Sequence, residues 1–238
     1  MLNKNILENK KVIIFDLDGT LVDSIGIWNK VDMATVKYFT GKEVEETELN
    51  HLIDNVLRTA TEEDIYRAYI KELCSKYNIL EDIDTVYEKR KYFGDEIPKK
   101  DVTFKPFTKE VLLKLKDLGF ILALATTSTT KKVEIYSFEN INTNSINLFE
   151  IFDLILTKDE VVKKKPDPEV LNKIIDYFKI EKSEAIVFED SLVGVRTANN
   201  AGIEVVSVYD KYADYERDII NENSDYKIDS FKEILDLL

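Results

Sequence analysis

The chain is poor in several residue types, and each scarcity limits what the protein can be. Its 238 residues include one cysteine and one histidine, so we expect neither an internal disulfide nor a zinc site built from cysteine and histidine. No window approaches the roughly 20 apolar residues that a membrane span requires. Residues 1–11 lack the apolar run of a signal peptide. These absences predict a cytoplasmic protein that has no membrane partner.

Positive charge is also in deficit. Lysine and arginine number 33 against 46 acidic residues, which gives a net charge of −13. A surface of this sign repels nucleic acid as well as anionic membranes. It would also repel a phosphorylated metabolite, so a phosphate site would need cations placed locally. The length is sufficient to bury a large core without disulfides or a structural metal.

Short apolar runs alternate with helical patterns along most of the chain. The runs, rich in β-branched residues and typical of buried strands, are residues 12–15, 120–125, 151–156, 185–188 and 205–208. The helical patterns are residues 106–118 with Thr108 as N-cap, 168–178 with Asp167 as cap, and 191–201 ending at Gly202. This alternation predicts an α/β fold with a Rossmann-like, doubly wound parallel sheet.

Residues 25–99 interrupt the alternation. They have helical periodicity and no convincing strand, as in residues 61–77, where Tyr69 and Leu73 share one helix face. We therefore expect an α-helical domain over residues 25–99. It would be inserted into an α/β core domain formed by residues 1–24 and 100–238.

Two aspartates follow the first apolar run directly. Open α/β sheets bind their ligands at the carboxyl ends of the strands, and residues two apart in an extended segment face the same side. Asp16 and Asp18 can therefore face one site, and Gly19 permits a tight turn after them. Two such carboxylates attract a divalent cation, and they can serve as a nucleophile and a general acid/base. The alternative is a simple turn, in which aspartate and glycine are common.

Hydroxyl residues and a lysine follow later strands. Thr126, Thr127 and Ser128 end the second apolar run, where a hydroxyl and the amides that open a helix can bind an anion or only cap the helix. Lys165 lies in a loop that contains two prolines. Its charge could meet a phosphate, or it could simply be solvated.

Glu189 and Asp190 follow the fourth run and precede a helix. Adjacent acids just beyond a buried strand are costly unless they are paired or bound to a metal. Mg²⁺ prefers oxygen ligands and usually keeps several waters, so two or three carboxylates suffice. Helix capping by Asp190 is the alternative.

In combination these residues resemble the haloacid dehalogenase-like hydrolases, in particular their capped phosphatases and their β-phosphoglucomutase-like members. The four motifs in order are Asp16-Leu17-Asp18-Gly19-Thr20-Leu21-Val22-Asp23-Ser24, Thr126, Lys165 in Lys-Pro-Asp-Pro, and Phe188-Glu189-Asp190-Ser191. The match covers the whole predicted core, and the helical insertion has the position of the family's cap domain.

The resemblance implies a role for each motif residue. Asp16 would attack phosphorus to form an aspartyl-phosphate. Asp18 would protonate the leaving oxygen and then activate the hydrolytic water. Thr126 would hold a phosphoryl oxygen, assisted by the amides near Thr127 and Ser128. Lys165 would offset the negative charge on Asp16 and on the transferred group.

The resemblance also implies Mg²⁺ as the cofactor. Asp190 and Asp16 would bind it together with the backbone carbonyl of Asp18. Glu189 would be a further ligand or would act through a water.

Two other reactions within the family can be weighed on single residues. Dehalogenases lack the second aspartate, whereas Asp18 is present here. Phosphomutases of the β-phosphoglucomutase type share all four motifs, but their cap-entrance histidine, ten residues beyond the second aspartate, is replaced by Trp28. The only histidine, His51, lies elsewhere. We therefore expect a Mg²⁺-dependent phosphatase that acts on a small phosphorylated metabolite, as a monomer or homodimer. The alternatives are a sugar phosphomutase and, third, a non-catalytic binding protein.

Overall fold

A computed structural model describes residues 6–49, 52, 56 and 65–238. The chain divides into two compact units, one formed by Met1–Ile25 with Val102–Leu238 and the other by Gly26–Asp101. The domain boundaries predicted from the sequence, after residues 24 and 99, lie within two residues of these. In the part of the chain that is described, no helix has both the length and the apolar character to cross a membrane.

The first unit is built on a parallel sheet. In chain order the strands are β1 (Val12–Phe15), β2 (Val22–Asp23), β3 (Thr103–Phe104), β4 (Ile121–Ala125), β5 (Leu154–Leu156), β6 (Ala185–Glu189), β7 (Glu204–Val208) and β8 (Tyr226–Ile228). Six of them form one sheet in the order β5-β4-β1-β6-β7-β8, and β2 pairs antiparallel with β3. Strand β1 lies between β4 and β6, with Phe15 level with Leu124 and Phe188. All four residues of β1 are buried, which explains why it reads as a continuous apolar run.

Helices and turns of this unit are Thr108–Asp117, Thr130–Glu134, Leu148–Ile151, Glu169–Phe178, Leu192–Ala201, Arg217–Glu222 and Lys232–Leu235, with a π-helical turn at Ile135–Glu139 and 3₁₀ turns at Lys182–Glu184 and Lys211–Glu216. Ile14 of β1 packs in one apolar cluster with Ile174 and Val195 from two of these helices. Its neighbour Phe15 instead contacts the rings of Phe188 and Phe231. Because side chains alternate across a strand, both faces of the sheet are covered.

The predicted parallel α/β sheet with a helical insertion is confirmed, although some local predictions are wrong. Residues 151–156 are not one strand, because the helix Leu148–Ile151 precedes β5. Thr108 is the first helical residue and not the N-cap, since its hydroxyl donates to the carbonyl of Leu21 at 3.0 Å. Strand β8 and the β2–β3 pair, of two or three residues each, are too short for periodicity to reveal.

Other predicted helix ends agree only in part. The helix Leu192–Ala201 ends at Gly202 with φ 71°, as predicted. Its N-cap is Ser191 and not Asp190, since the Ser191 hydroxyl accepts a hydrogen bond from the amide of Gly194 at 3.1 Å. The N-cap of the helix Glu169–Phe178 is Pro168 and not the predicted Asp167, although the Asp167 carboxylate accepts from the amide of Glu169 at 3.0 Å.

The second unit is helical. Its helices are Ile27–Thr40, Ile65–Tyr77, Ile83–Glu96 and Pro98–Asp101, and residues 46–49 are also helical; none of its described residues belongs to a strand. Tyr69 and Leu73 are buried in its core, as predicted, together with Cys74. Residues 61–64, the start of the helical pattern predicted over residues 61–77, lie outside the described residues.

A buried ion pair lies within this helical unit. The guanidinium of Arg90 donates to both oxygens of Asp32, at 2.5 and 3.2 Å, and the Tyr69 hydroxyl donates to the same carboxylate at 2.8 Å. The Arg90 guanidinium also lies 5.2 Å from the centre of the Trp28 ring. The side chains of Arg90 and Asp32 are only 12% and 4% exposed. Loss of one partner would leave the other charge buried.

We predict that Asp32→Ala lowers the free energy of unfolding by about 3–5 kcal/mol, because a buried arginine loses its carboxylate. The matched control is Asp84→Ala, which removes the carboxylate of the exposed Arg67–Asp84 pair in the same unit; we expect less than about 1 kcal/mol. Urea denaturation of both variants measures the difference. Equal losses of unfolding free energy in the two variants would show that the buried Asp32–Arg90 pair is no more sensitive to loss of its carboxylate than the exposed pair.

Candidate active site

The site begins where β1 ends. The amide of Asp16 donates to the carbonyl of Phe188 at 3.0 Å, so this residue is held in the sheet ladder. The chain then turns at Gly19, where φ is +88°, and the Gly19 amide donates to the carbonyl of Val22 at 2.9 Å. Such a φ strongly favours glycine.

Three carboxylates converge beyond β1 and β6. Asp16, Glu189 and Asp190 are all buried, and each offers an oxygen within 4.8 Å of the other two. They meet because parallel strands end at the same edge of a sheet, and β1 and β6 are neighbours in register. The ammonium of Lys165 lies 2.7 Å from Asp16 Oδ1 and 3.5 Å from Glu189 Oε1, with its side chain 7% exposed. One ammonium group therefore faces three carboxyl groups.

Burial and mutual repulsion change the protonation of this cluster. Burial, followed by the charge of Glu189, raises the pKa of Asp16 to about 7. Burial likewise raises the pKa of Glu189 to about 7, and burial with the charge of Asp16 raises that of Asp190 to about 7. Burial would lower the pKa of Lys165, but Asp16 and Glu189 outweigh it and raise this pKa. The lysine is therefore a permanent cation among carboxylates that resist ionisation.

The carboxylate cluster fits a divalent cation. Oε2 of Glu189 is buried and accepts no hydrogen bond from the described residues, a costly state for a carboxylate oxygen. The backbone at Gly19 lies so close to Asp190 that a Cβ would overlap its carboxylate, and Gly194 leaves room in the same way for Glu189. Hard carboxylate oxygens with uncompensated negative charge are the donor set that such cations prefer. The backbone carbonyl of Asp18 as a further ligand stays a prediction.

Asp18 lies in a different environment. It is half-buried, and three hydroxyl groups donate to its carboxylate. Ser24 Oγ is 2.6 Å from Oδ1, Ser128 Oγ is 2.6 Å from Oδ2, and Tyr136 Oη is 3.1 Å from Oδ1. Neutral donors hold the orientation of this carboxyl without adding a charge.

The predicted anion-binding residues lie at the end of β4. Thr126 is buried, and its hydroxyl accepts from the amide of Ser128 at 3.0 Å. Thr127 is exposed, and together with Thr126 and Lys165 it lines one small cleft. The N-cap of the helix that follows is Thr129, whose side chain accepts from the amide of Lys132.

Several polar contacts were not predicted from the sequence. The Thr20 hydroxyl donates to Asp190 Oδ1 at 2.7 Å, and the Ser191 hydroxyl donates to Glu189 Oε1 at 2.9 Å. Both residues lie inside the motifs, and their hydroxyl groups were the one feature of the sequence that could have indicated these contacts. Tyr136 contacts a residue 118 positions away in the chain, so no local pattern indicates its role.

Trp28, the residue that bears on the phosphomutase alternative, lies in the helical unit. Trp28, which replaces the cap-entrance histidine, is 42% exposed. A Cβ on Gly94 would lie 3.3 Å from its ring, so glycine gives the indole room there. His51 lies outside the described residues.

Comparison with known proteins assigns the family. The haloacid dehalogenase-like hydrolase family matches residues 13–208, and the chain belongs to it. A phosphoglycolate phosphatase of Salmonella typhi is 28% identical over an alignment of 249 positions, which covers 98% of this chain and 94% of that protein. A phosphorylated carbohydrates phosphatase of Thermotoga maritima is 27% identical over 194 residues, which cover 82% of each chain. Within the family the chain is a phosphatase enzyme.

The fold is shared with solved structures. The crystal structure of CbbY from Rhodobacter sphaeroides in complex with phosphate superimposes with a TM-score of 0.69. Its sequence identity is 23%, and the match covers 94% of this chain and 96% of that one. The α/β core with its helical insertion is therefore a known arrangement.

We predict that Gly19→Ala prevents stabilisation of the protein by a divalent cation, because the new Cβ displaces the Asp190 carboxylate. Gly119→Ala is the matched control, since its φ is +86° and its Cβ would meet nothing within 4 Å. Both variants should lose about 1–2 kcal/mol from backbone strain. Only the control should keep the rise in Tm on adding Mg²⁺, a few degrees at saturation. A retained rise in Gly19→Ala would contradict the close approach of this backbone to the site.

We predict that the cation-free protein loses stability between about pH 5 and pH 7. The three carboxyl groups have folded-state pKa values raised to about 7, so across this interval the folded state binds more protons than the unfolded state. The free energy of unfolding therefore falls as pH rises. Urea denaturation in EDTA at several pH values measures the slope. Glu189→Gln should reduce this slope. A free energy of unfolding that does not change with pH in the unsubstituted protein would contradict the raised pKa values of the three carboxyl groups.

Proposed function

We propose that the protein is a Mg²⁺-dependent phosphatase of small phosphorylated metabolites, with Asp16 as the nucleophile of an aspartyl-phosphate intermediate. The observation that carries the proposal is the pairing of two unlike aspartates. Asp16 is buried against Lys165 in the acidic cluster, whereas Asp18, two residues on, is surrounded by hydroxyl groups. Two carboxyl groups in unlike environments are suited to two different roles.

In the first half of the reaction, an oxygen of Asp16 attacks phosphorus and the bond from phosphorus to the leaving oxygen breaks. Asp18 in its protonated form donates its proton to that oxygen, so the product leaves as an alcohol. Lys165, 2.7 Å from Asp16, keeps one positive charge beside the attacking carboxylate. Positioning and charge stabilisation are the main requirements of phosphoryl transfer.

In the second half, Asp18 accepts a proton from a water molecule as that water attacks phosphorus. The bond between phosphorus and the Asp16 oxygen breaks, which releases inorganic phosphate and restores both carboxyl groups. The Thr126 hydroxyl would hold a phosphoryl oxygen, with the amides near Thr127 and Ser128 assisting. Thr126 and Lys165 line one small cleft, so these two proposed phosphate ligands lie close together.

Asp16, Asp190 and the backbone carbonyl of Asp18 would hold Mg²⁺, with Glu189 as a further ligand or acting through a water. When bound, Mg²⁺ supplies positive charge that compensates the carboxylates and stabilises the charge developing on the phosphoryl oxygens. The buried Glu189 oxygen that accepts no hydrogen bond in the described structure supports this set.

The substrate is proposed to be a small phosphorylated carboxylic acid or carbohydrate. The names of the two phosphatase relatives, which specify phosphoglycolate and phosphorylated carbohydrates, support this class. The helical unit is proposed to be the substrate-selecting cap, since in chain order it is inserted between β2 and β3, directly after the first motif. The single cysteine, Cys74, is a free thiol, which supports a reducing, cytoplasmic location.

We predict that Asp16→Asn reduces phosphate release by about 1000-fold or more while the fold is retained, because an amide cannot act as the nucleophile. The measurement is inorganic phosphate release with Mg²⁺ from a panel of phosphorylated acids, sugars and nucleosides, with circular dichroism as the check on folding. Asp176→Asn, on an exposed helix surface, is the matched control and should retain full activity. EDTA should stop release, and excess Mg²⁺ should restore it.

The same experiment separates the other functions. Substantial release by Asp16→Asn would remove this residue from the mechanism. Conversion of one sugar phosphate into its isomer, with little release and dependence on a bisphosphate, would indicate a phosphomutase instead. Binding of a phosphorylated compound without turnover would indicate a binding protein.

A further inference from the structure

Tyr136 has no part in the mechanism as written above, although it touches the acid/base residue. Its side chain is 1% exposed, and its hydroxyl donates to Asp18 Oδ1 at 3.1 Å. Burial, followed by the charge of Asp18, raises the pKa of this phenol well above its ordinary value. The phenol is therefore a permanent donor in the working pH range.

The backbone that carries Tyr136 is itself firmly held. It lies in the π-helical turn Ile135–Glu139, a rare form that inserts one extra residue per turn and is frequent at functional sites. The carbonyl of Tyr136 accepts from the Thr143 hydroxyl at 2.6 Å, and the amide of Asn140 closes the turn on Ile135 at 2.8 Å. Thr143 and Asn140 are both fully buried. A rigid aromatic ring on such a turn can fix a hydroxyl in space with few torsions left free.

The other two donors to Asp18 come from different segments. Ser24 follows β2 and Ser128 follows β4, and each binds a different oxygen of the carboxyl group. Serine hydroxyls sit on short side chains in loops, whereas Tyr136 reaches the same carboxyl from a separate, buried segment. Together the three donors define the plane of the carboxyl group.

We propose that Tyr136 is a positioning residue that holds the Asp18 carboxyl in the orientation needed for proton transfer to the leaving oxygen. This inference rests on the proposed phosphatase mechanism, because it concerns the step in which Asp18 donates a proton. Tyr136 itself exchanges no proton and makes no bond to the substrate. Its effect should therefore depend on how much the leaving group needs that proton.

The test is Tyr136→Phe, which removes only the hydroxyl. With the alkyl phosphate of the panel that the enzyme hydrolyses best, we expect kcat/KM to fall about tenfold, part of the 100- to 10,000-fold that general acid catalysis supplies. With 4-nitrophenyl phosphate, whose leaving group needs no proton, kcat/KM should change less than about twofold on the same grounds. Tyr177→Phe, an exposed tyrosine in the same unit, is the control and should change neither value.

A double-variant cycle adds a readout that a general loss of structure would not give. In the Asp18→Asn background, Tyr136→Phe should cause no further loss, because the two residues act as one unit. Thr143→Val keeps the phenol but removes the support of its backbone. Thr143→Val should show the same dependence on the leaving group, but more weakly. If Tyr136→Phe does not fold, Thr143→Val is the variant that tests the inference.

The outcomes separate this inference from the proposed function. Three results would overturn the role of Tyr136 and leave the phosphatase mechanism standing. They are equal losses of kcat/KM with both substrates, no loss with either substrate, and an additive loss in the Asp18→Asn background. An unsubstituted protein that releases phosphate from no substrate, or an active Asp16→Asn variant, would overturn the phosphatase mechanism and this role with it.

Discussion

The crowding of three buried carboxylates around one lysine is the constraint on which the rest of the site depends. Register places Phe15 of β1 level with Phe188 of β6, so the acids that follow these strands must meet. Such a cluster is tolerable only with local compensation. Lys165 supplies one charge, hydroxyl donors satisfy some oxygens, and glycine backbones leave the carboxylates room. The charge that remains uncompensated is a ready site for a divalent cation.

The second feature of the site is the contrast between Asp16 and Asp18. The first is tied to the sheet ladder and to a buried ammonium, and the second is surrounded by neutral hydroxyls. The amide of Asp16 keeps a hydrogen bond to β6, whereas Asp18 lies beyond the end of β1, just before the tight turn at Gly19. Identical side chains thereby lie in different environments, which suits them to the two roles proposed for them.

Sequence patterns predicted the core well where the elements were long and buried. β1, β6 and the helix Leu192–Ala201 agree with the prediction within a residue at each end. The prediction failed at Thr108, where a tertiary hydrogen bond to Leu21 takes the hydroxyl expected to cap the helix. It also failed at residues 151–156, since an apolar run of six residues does not distinguish a strand from the end of a short helix.

The sequence by itself indicated which residues form the candidate site, because motif spacing after buried strands is a local property of the chain. It also determined the fold class, through the alternation of apolar runs and helical patterns. Only the tertiary structure decided how these residues combine. Lys165 pairs with Asp16 across 149 positions of the chain, and Tyr136 contacts Asp18 across 118. The burial of the Glu189 oxygen likewise depends on the folded chain around it. Strand order and register create such contacts, and periodicity along the chain carries no information about either.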